Sequence, residues 1–216
     1  MLDMYTGKNI SPGFFSWAIP TGDTTRIGTW TKAELMNGLS SEQYLDKLLQ
    51  DQKINSRFRL CSEVARFCGP VPSGIVRKPL IERVALFGDS AGVCKPTTGG
   101  GIGPGFNQVD LLVPRLSKSM ENNELSRGTM NSISALLKEM ARNQRKKRAL
   151  RDAFLTEMSD NELERIFDVW ARPEVTDLIN EFGDIENPIP LGIKMLREVP
   201  EFRRLAGRAA KAVLWG

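Results

Sequence analysis

A chain of 216 residues, 41% of them hydrophobic, is long enough for one domain or two small ones around a buried core. Its 30 basic and 26 acidic residues leave a net charge of +4, too balanced to argue for nucleic acid as a partner. With no histidine, the chain alone builds no Ser-His-Asp triad, Cys-His pair or histidine metal site; no metal is expected, and a proton donor must be Tyr, Lys, Cys, a carboxyl group or water.

Met1 to Tyr5 lacks a basic segment followed by an apolar core, and no apolar run reaches the roughly eighteen residues of a membrane span, so the sequence reads as neither secreted nor membrane-spanning. Cys61, Cys68 and Cys94 are odd in number and lack metal-like spacing, which suits a reducing cytoplasm. Cys61 and Cys68 read as small packed hydrophobes.

Gly13 to Trp30 reads as a hairpin, with Phe14 to Ile19 as one strand, Pro20-Thr21-Gly22-Asp23 as the turn and Thr24 to Trp30 as the return. Period two puts Phe15, Trp17 and Ile19 on one face, either a sheet core or a ligand-contacting wall. Ser40 or Ser41 caps a helix from Glu42 to about Lys53. A strand-like segment from about Arg57 to Phe67 then ends in Gly69-Pro70-Val71-Pro72-Ser73-Gly74.

The stretch Val84 to Ile102 organises the rest. Val84-Ala85-Leu86-Phe87 reads as a short buried strand, and Gly88-Asp89 ends it with a carboxylate at its C-terminal edge, where open α/β sheets bind ligands. Gly99, Gly100 and Gly101 then run into an apolar pattern with helical spacing, Ile102, Phe106, Val109, Leu112, Val113 and Leu116, with Pro104 in the first turn. Glycines at a helix N-terminus leave N–H groups open to an anion or a polarised carbonyl such as the pyrimidine edge of a flavin. Asp89 can accept hydrogen bonds from sugar-like hydroxyls such as those of a ribityl chain. No Walker A loop is present, because Lys95 is followed by Pro96.

Ser117 to Arg127 is polar, and Asn131 to Ala153 reads as a long amphipathic helix bearing Arg142-Asn143-Gln144-Arg145-Lys146-Lys147-Arg148 and Arg151. These cations read either as a solvated face or as a surface for anionic lipid head groups. Ser159-Asp160-x-Glu162 opens a further helix with a capping box, and Pro173, Gly183, Pro188-Ile189-Pro190 and Pro200 punctuate shorter ones. Leu191, Ile193, Leu196 and Val199 are expected to line a core or a tunnel.

Gly88-Asp89-x-Ala91-Gly92 followed by Pro96-x-x-Gly99-Gly100-Gly101-Ile102 resembles the second FAD-binding motif of the geranylgeranyl reductase family, flavoproteins with the fold of the aromatic hydroxylases. Lys95-Pro96-Thr97-Thr98-Gly99-Gly100-Gly101-Ile102 is most like the archaeal prenyl-lipid branch. The resemblance implies FAD as cofactor, held by Gly88, Asp89, Ala91, Gly92, Pro96, Gly99, Gly100, Gly101 and Ile102. It implies saturation of C=C bonds in geranylgeranyl chains for membrane lipids. Phe15-Ser16-Trp17-Ala18-Ile19-Pro20 with Gly28 is similar to that family's aromatic-x-Trp-x-Phe-Pro and Gly-x-Gly substrate motif, making Phe15, Trp17, Ile19 and Pro20 substrate contacts. Phe15 stands where the family has Tyr, Ile19 where it has Phe, and Trp30 where its second Gly falls, which removes a hydroxyl and reshapes the wall. No catalytic residue is assigned.

The implied fold class is mixed α+β and α/β. Residues 1–75 form part of an antiparallel substrate-binding sheet, 76–118 the C-terminal part of an FAD-binding domain, and 119–216 a helical region closing over a prenyl tunnel. The family's first fingerprint, Gly-x-Gly-x-x-Gly between a strand and a helix, has no counterpart before Val84. The chain thus reads as the C-terminal half or so of the pattern: a truncated frame, a fragment or one of two chains, holding FAD weakly alone. Expected partners are an isoprenoid lipid, an electron donor of unspecified kind and an N-terminal half or partner chain, with no nucleic acid. The expected location is cytoplasmic, with contact at a membrane surface left open. Two other readings stand beside this one: a non-catalytic remnant or subunit, and an aromatic hydroxylase or halogenase using the same Gly-Asp motif.

Overall fold

The computed structural model describes residues 2–58, 61–184, 188–204 and 207. The fold is mixed, with helices and two small antiparallel sheets, as the sequence implies. The chain divides into two compact units, Met1–Gly69 with Asp152–Arg172, and Pro70–Arg151 with Pro173–Gly216.

In the first unit, β1 (Asp3–Tyr5), β2 (Ser16–Thr21) and β3 (Thr24–Thr29) form an antiparallel sheet in that order. Gly22, at φ +72°, leads the two-residue turn between β2 and β3, so β2 runs to Thr21 rather than stopping at Ile19. The buried face of β2 carries Ser16 and Ala18, preceded by buried Phe14, while Phe15, Trp17 and Ile19 share the half-buried opposite face. The core reading of those three side chains therefore passes to their neighbours. Phe14 stacks on Trp30 at 3.7 Å, and Ser16 Oγ donates to Thr29 Oγ1, whose hydroxyl donates to the Ile10 carbonyl at 2.7 Å.

Helix α1 (Ser41–Gln50) is capped by Ser40 with Gln43 reciprocating, and it buries Tyr44 and Leu48. It stops short of Lys53 because Asp51 leaves helical geometry and its carboxylate accepts the Lys53 N–H at 2.9 Å. The unit's other helix, Asp160–Trp170, has the expected capping box from Ser159 and Glu162 and buries Leu163 and Val169.

The strand expected from about Arg57 to Phe67 does not form among the described residues; residues 59 and 60 lie outside them. Phe67 is 94% exposed, and Cys61 and Cys68, expected to be packed, are exposed. A strand needs a neighbour to complete its hydrogen bonds, and none runs beside this segment. Arg66 instead pairs with Glu63 and with Asp46 of α1, each at 2.7 Å.

In the second unit, β4 (Leu80–Ile81) pairs antiparallel with β5 (Val84–Ala85). The expected four-residue buried strand is thus cut to two residues with Val84 exposed, because its partner is only two residues long. A 3₁₀ turn, Gly88–Ala91, follows, and then α2 (Ile102–Glu121), which runs beyond the expected end at Leu116. The single helix expected from Asn131 to Ala153 is built as α3 (Arg127–Ser134), a 3₁₀ turn and α4 (Lys138–Arg151). Leu80, Leu112, Leu116, Met130, Ile133 and Leu137 form the core joining β4, α2 and α3. In chain order α5 is the Asp160–Trp170 helix already described, and α6 (Pro173–Phe182), α7 (Ile189–Glu198) and α8 (Pro200–Arg203) follow the proline punctuation. Val199 is buried, Leu191 and Leu196 are half-buried and Ile193 is exposed. α3 shares the core of α2, and α5 groups with the hairpin.

Candidate functional site

Gly88, Asp89, Ala91, Gly92, Pro96, Gly99, Gly100, Gly101 and Ile102 all lie in the second unit. Gly88 (φ +58°), Gly92 (φ +72°) and Gly99 (φ +72°) adopt the left-handed conformation that side chains resist, so the turn depends on glycine locally. At Gly92 the demand is also steric, because a Cβ would run into the Gly74 carbonyl. That carbonyl belongs to the Pro72–Val76 segment, which is bonded to the turn by Gly74 N–H to Gly92 O and Val76 N–H to Ala91 O, both at 3.0 Å.

The turn presents an exposed Asp89 beside the start of α2: a Cβ built on Gly101 would lie 3.2 Å from Asp89 Oδ1. The structure thus brings together the carboxylate and the glycine run that the sequence singles out. No side chain caps the α2 N-terminus, so its first N–H groups are available to a ligand. Nothing lies within 4 Å of where a Cβ of Gly88 or Gly105 would stand. An acceptor for hydroxyls, a bare helix N-terminus and open space beside the glycines are the features that a flavin's ribityl and pyrimidine edge require.

Two further residues of the loop, Cys94 and Lys95, bond within the protein. Cys94 is fully buried, and its Sγ donates to the Pro72 carbonyl at 3.0 Å. Burial, helped by Asp89 and opposed by Arg148 and Arg151, raises the thiol's pKa, so the group keeps its proton. Lys95 enters through its backbone: its N–H donates to Gly100 O and its carbonyl accepts from Gly99, closing the loop on itself.

Sequence reasoning missed the glutamines that hold the site. Gln108, fully buried on α2, accepts the Gly88 N–H at 2.8 Å and donates to the Leu86 carbonyl at 3.0 Å, fixing the strand-to-turn corner that carries Asp89. Its signal was its place one turn before Leu112 and two before Leu116, a polar residue in the buried stripe. Gln144 on α4 accepts from Ile75 N–H and donates to the carbonyls of Gly92 and Cys94. Arg151 donates to the Pro96 carbonyl at 2.8 Å and Arg148 to that of Ser73. The basic run is therefore two-sided: Arg142 and Arg145 are solvated, whereas Gln144, Arg148 and Arg151 turn inward.

The apolar pattern of α2 divides the same way. Leu112 and Leu116 are buried, but Ile102 is 79% and Phe106 67% exposed, with Val109 and Val113 continuing the uncovered stripe. In the first unit, Phe15, Trp17 and Ile19 present the half-buried face of β2, and Pro20 is exposed. Among the described residues, no helix is long and apolar enough to cross a membrane.

No protein-family model matches the chain. It is 25% identical over 167 residues to digeranylgeranylglycerophospholipid reductase of Methanocaldococcus jannaschii, covering 77% of this chain and 42% of that protein. It is 31% identical over 102 residues to the chloroplastic geranylgeranyl diphosphate reductase of Nicotiana tabacum, covering 47% of this chain and 21% of that one. The fold is similar to that of a geranylgeranyl bacteriochlorophyll reductase-like protein from Thermoplasma acidophilum, with a TM-score of 0.69 at 21% identity, covering 96% of this chain and 50% of that structure. These relatives bear out the resemblance read from the Gly88–Ile102 motif. The chain spans half or less of the length of each.

Proposed function

We propose that the chain forms part of an FAD-dependent reductase that saturates the C=C bonds of geranylgeranyl chains in membrane lipid biosynthesis. The observation that carries this reading is Asp89 set beside Gly101 at the uncapped start of α2, in a chain related to reductases. A bound flavin would supply the hydride for the C=C bond, with a proton arriving from the site to complete the saturation. This chain's residues would hold the flavin's ribityl and pyrimidine edge and the substrate. Asp89 accepts hydrogen bonds from the ribityl hydroxyls, and the α2 N-terminus favours negative charge at the pyrimidine edge. Gly88 and Gly99–Gly101 let that edge approach the backbone, and Ala91, Gly92, Pro96 and Ile102 shape the turn around it. Phe15, Trp17, Ile19 and Pro20 give the isoprenoid an apolar wall.

In this reading the adenine and pyrophosphate contacts come from a Rossmann-type half, on the same polypeptide or another. Residues 1–75 serve the substrate, 76–118 the flavin and 119–216 the prenyl chain. The protein works in the cytoplasm against the membrane surface, with the solvated Arg142 and Arg145 facing anionic head groups at about 1 kcal/mol each.

The test is the visible absorption spectrum of the purified chain eluted with and without added FAD, repeated after joining a Rossmann-type half. Co-eluting flavin, and its oxidation coupled to saturation of a geranylgeranyl lipid in the joined protein, is the expected result. Joined protein that retains flavin yet saturates no prenyl chain overturns the reductase reading. It would favour a non-catalytic, partner-binding subunit, which the uncovered Ile102 and Phe106 face of α2 also suits.

A further inference from the structure

Gly92 to Pro96 is an irregular turn segment, opening on left-handed Gly92, whose backbone groups are bonded on two sides. Residues 93 and 95 bond toward the candidate flavin loop: Val93 N–H donates to Gly88 O and Lys95 N–H to Gly100 O, each at 2.9 Å. The carbonyls of Gly92, Cys94 and Pro96 are bonded instead by side chains of α4. They meet Gln144 Nε2, at 3.3 Å and 3.0 Å, and an Arg151 guanidinium nitrogen at 2.8 Å. Gly74 N–H shares the Gly92 carbonyl, and Gln144 Oε1 accepts the neighbouring Ile75 N–H at 3.0 Å.

Side chains of a helix thus bond the backbone of this segment directly. Gln144, Arg148 and Arg151 follow one another at helical spacing on one face of α4, and Gln144 and Arg151 are each only 6% exposed. Burying a cationic side chain and an amide is costly unless both are bonded, and here both bond to backbone more than 45 residues away in sequence.

We propose that Gln144 and Arg151 are positioning residues: they set the register of the Gly92–Pro96 segment, and through Val93 and Lys95 they place Gly88 and Gly99–Gly101 for the ligand. The second half of this statement rests on the flavin reading; the first does not. Neither residue is assigned to the ligand itself; each bonds backbone carbonyls of the loop, those of Gly92 and Pro96 included. Loss of Gln144 removes the bond to the Cys94 carbonyl and leaves that of Gly92 to Gly74 N–H alone, and loss of Arg151 removes the bond to the Pro96 carbonyl.

Two measurements on the full chain separate the parts. The first is amide hydrogen exchange at Val93 and Lys95 without flavin, compared among wild type, Gln144→Leu, Arg151→Met and Arg151→Lys. The two apolar variants are expected to speed exchange at both amides by about tenfold, the worth of one ordinary hydrogen bond, and Arg151→Lys to restore most of it. Unchanged exchange at Val93 and Lys95 overturns the register assignment. The second is FAD affinity, with Leu137→Ala as a core-destabilising control on the neighbouring turn. A loss of affinity in Gln144→Leu and Arg151→Met, spared in Leu137→Ala and rescued by Arg151→Lys, supports positioning. An equal loss in Leu137→Ala reduces the role to general stability. A wild-type chain, joined or alone, that binds no FAD counts against the flavin reading and leaves the exchange result to decide the register.

Discussion

Trp17 and Gly28 are cross-strand partners on β2 and β3, and the indole lies directly over the glycine: a Cβ on Gly28 would stand 2.6 Å from Trp17 Cε2. The glycine is therefore a seat for the ring, and the half-buried face that carries Phe15 and Ile19 takes its shape from it. Phe15 meets Trp17 edge-on at 6.0 Å and Trp30 at 6.4 Å, so displacing one ring disturbs the others.

Gly28→Ala is accordingly expected to push the indole off its seat at a cost of about 1–3 kcal/mol, the usual penalty for overpacking. The near-ultraviolet circular dichroism should weaken and the urea midpoint should fall. A midpoint and spectrum equal to wild type would show that the ring does not rest on Gly28.

Gln108→Leu keeps much of the shape of a fully buried side chain but removes the partners of Gly88 N–H and Leu86 O. Each orphaned backbone group costs about 1–3 kcal/mol. The urea midpoint should drop, and exchange at the Gly88 amide should rise more than at Leu112, which shares the helix but not the bond. Uniform changes at both would assign Gln108 to packing alone.

Because burial raises the Cys94 thiol above its ordinary value of 9.0, the folded chain holds this proton more tightly than the unfolded one. Its contribution to stability is complete below the unfolded thiol's pKa and is lost as pH rises through the folded one. Urea midpoints should therefore fall on the alkaline side of pH 9, and Cys94→Ala should flatten that fall. A thiol reagent at neutral pH should label the exposed Cys61 and Cys68 well before Cys94.

Ile102→Gln combined with Phe106→Gln alters two side chains that are already largely solvated. Fold stability should stay within about 0.5 kcal/mol of wild type. Sedimentation should show less self-association and dye binding should decrease, since an uncovered apolar stripe promotes both. A large stability loss would mean that this face is packed in solution.

What could be read from the sequence follows the range of the forces involved. Capping boxes at Ser40 and Ser159, the glycine-dependent turn from Gly88 to Gly99 and the start of α2 depend on neighbours within a few residues, so the local sequence determines them. The pairing of Asp89 with the glycine run was legible for the same reason: the residues between them are few and conformationally constrained.

Tertiary structure decided whatever needed a distant partner. Period two allows either face of β2 to be buried, and the stack of Phe14 on Trp30 chose the face of Ser16 and Ala18. Apolar, strand-like composition from Arg57 to Phe67 made no strand among the described residues, because sheet hydrogen bonds require a second strand that runs alongside. In a basic run with nearly uniform composition, nothing local marks Gln144 and Arg151 as buried. They turn inward to the carbonyls of Gly92, Cys94 and Pro96, which lie about fifty residues away in sequence.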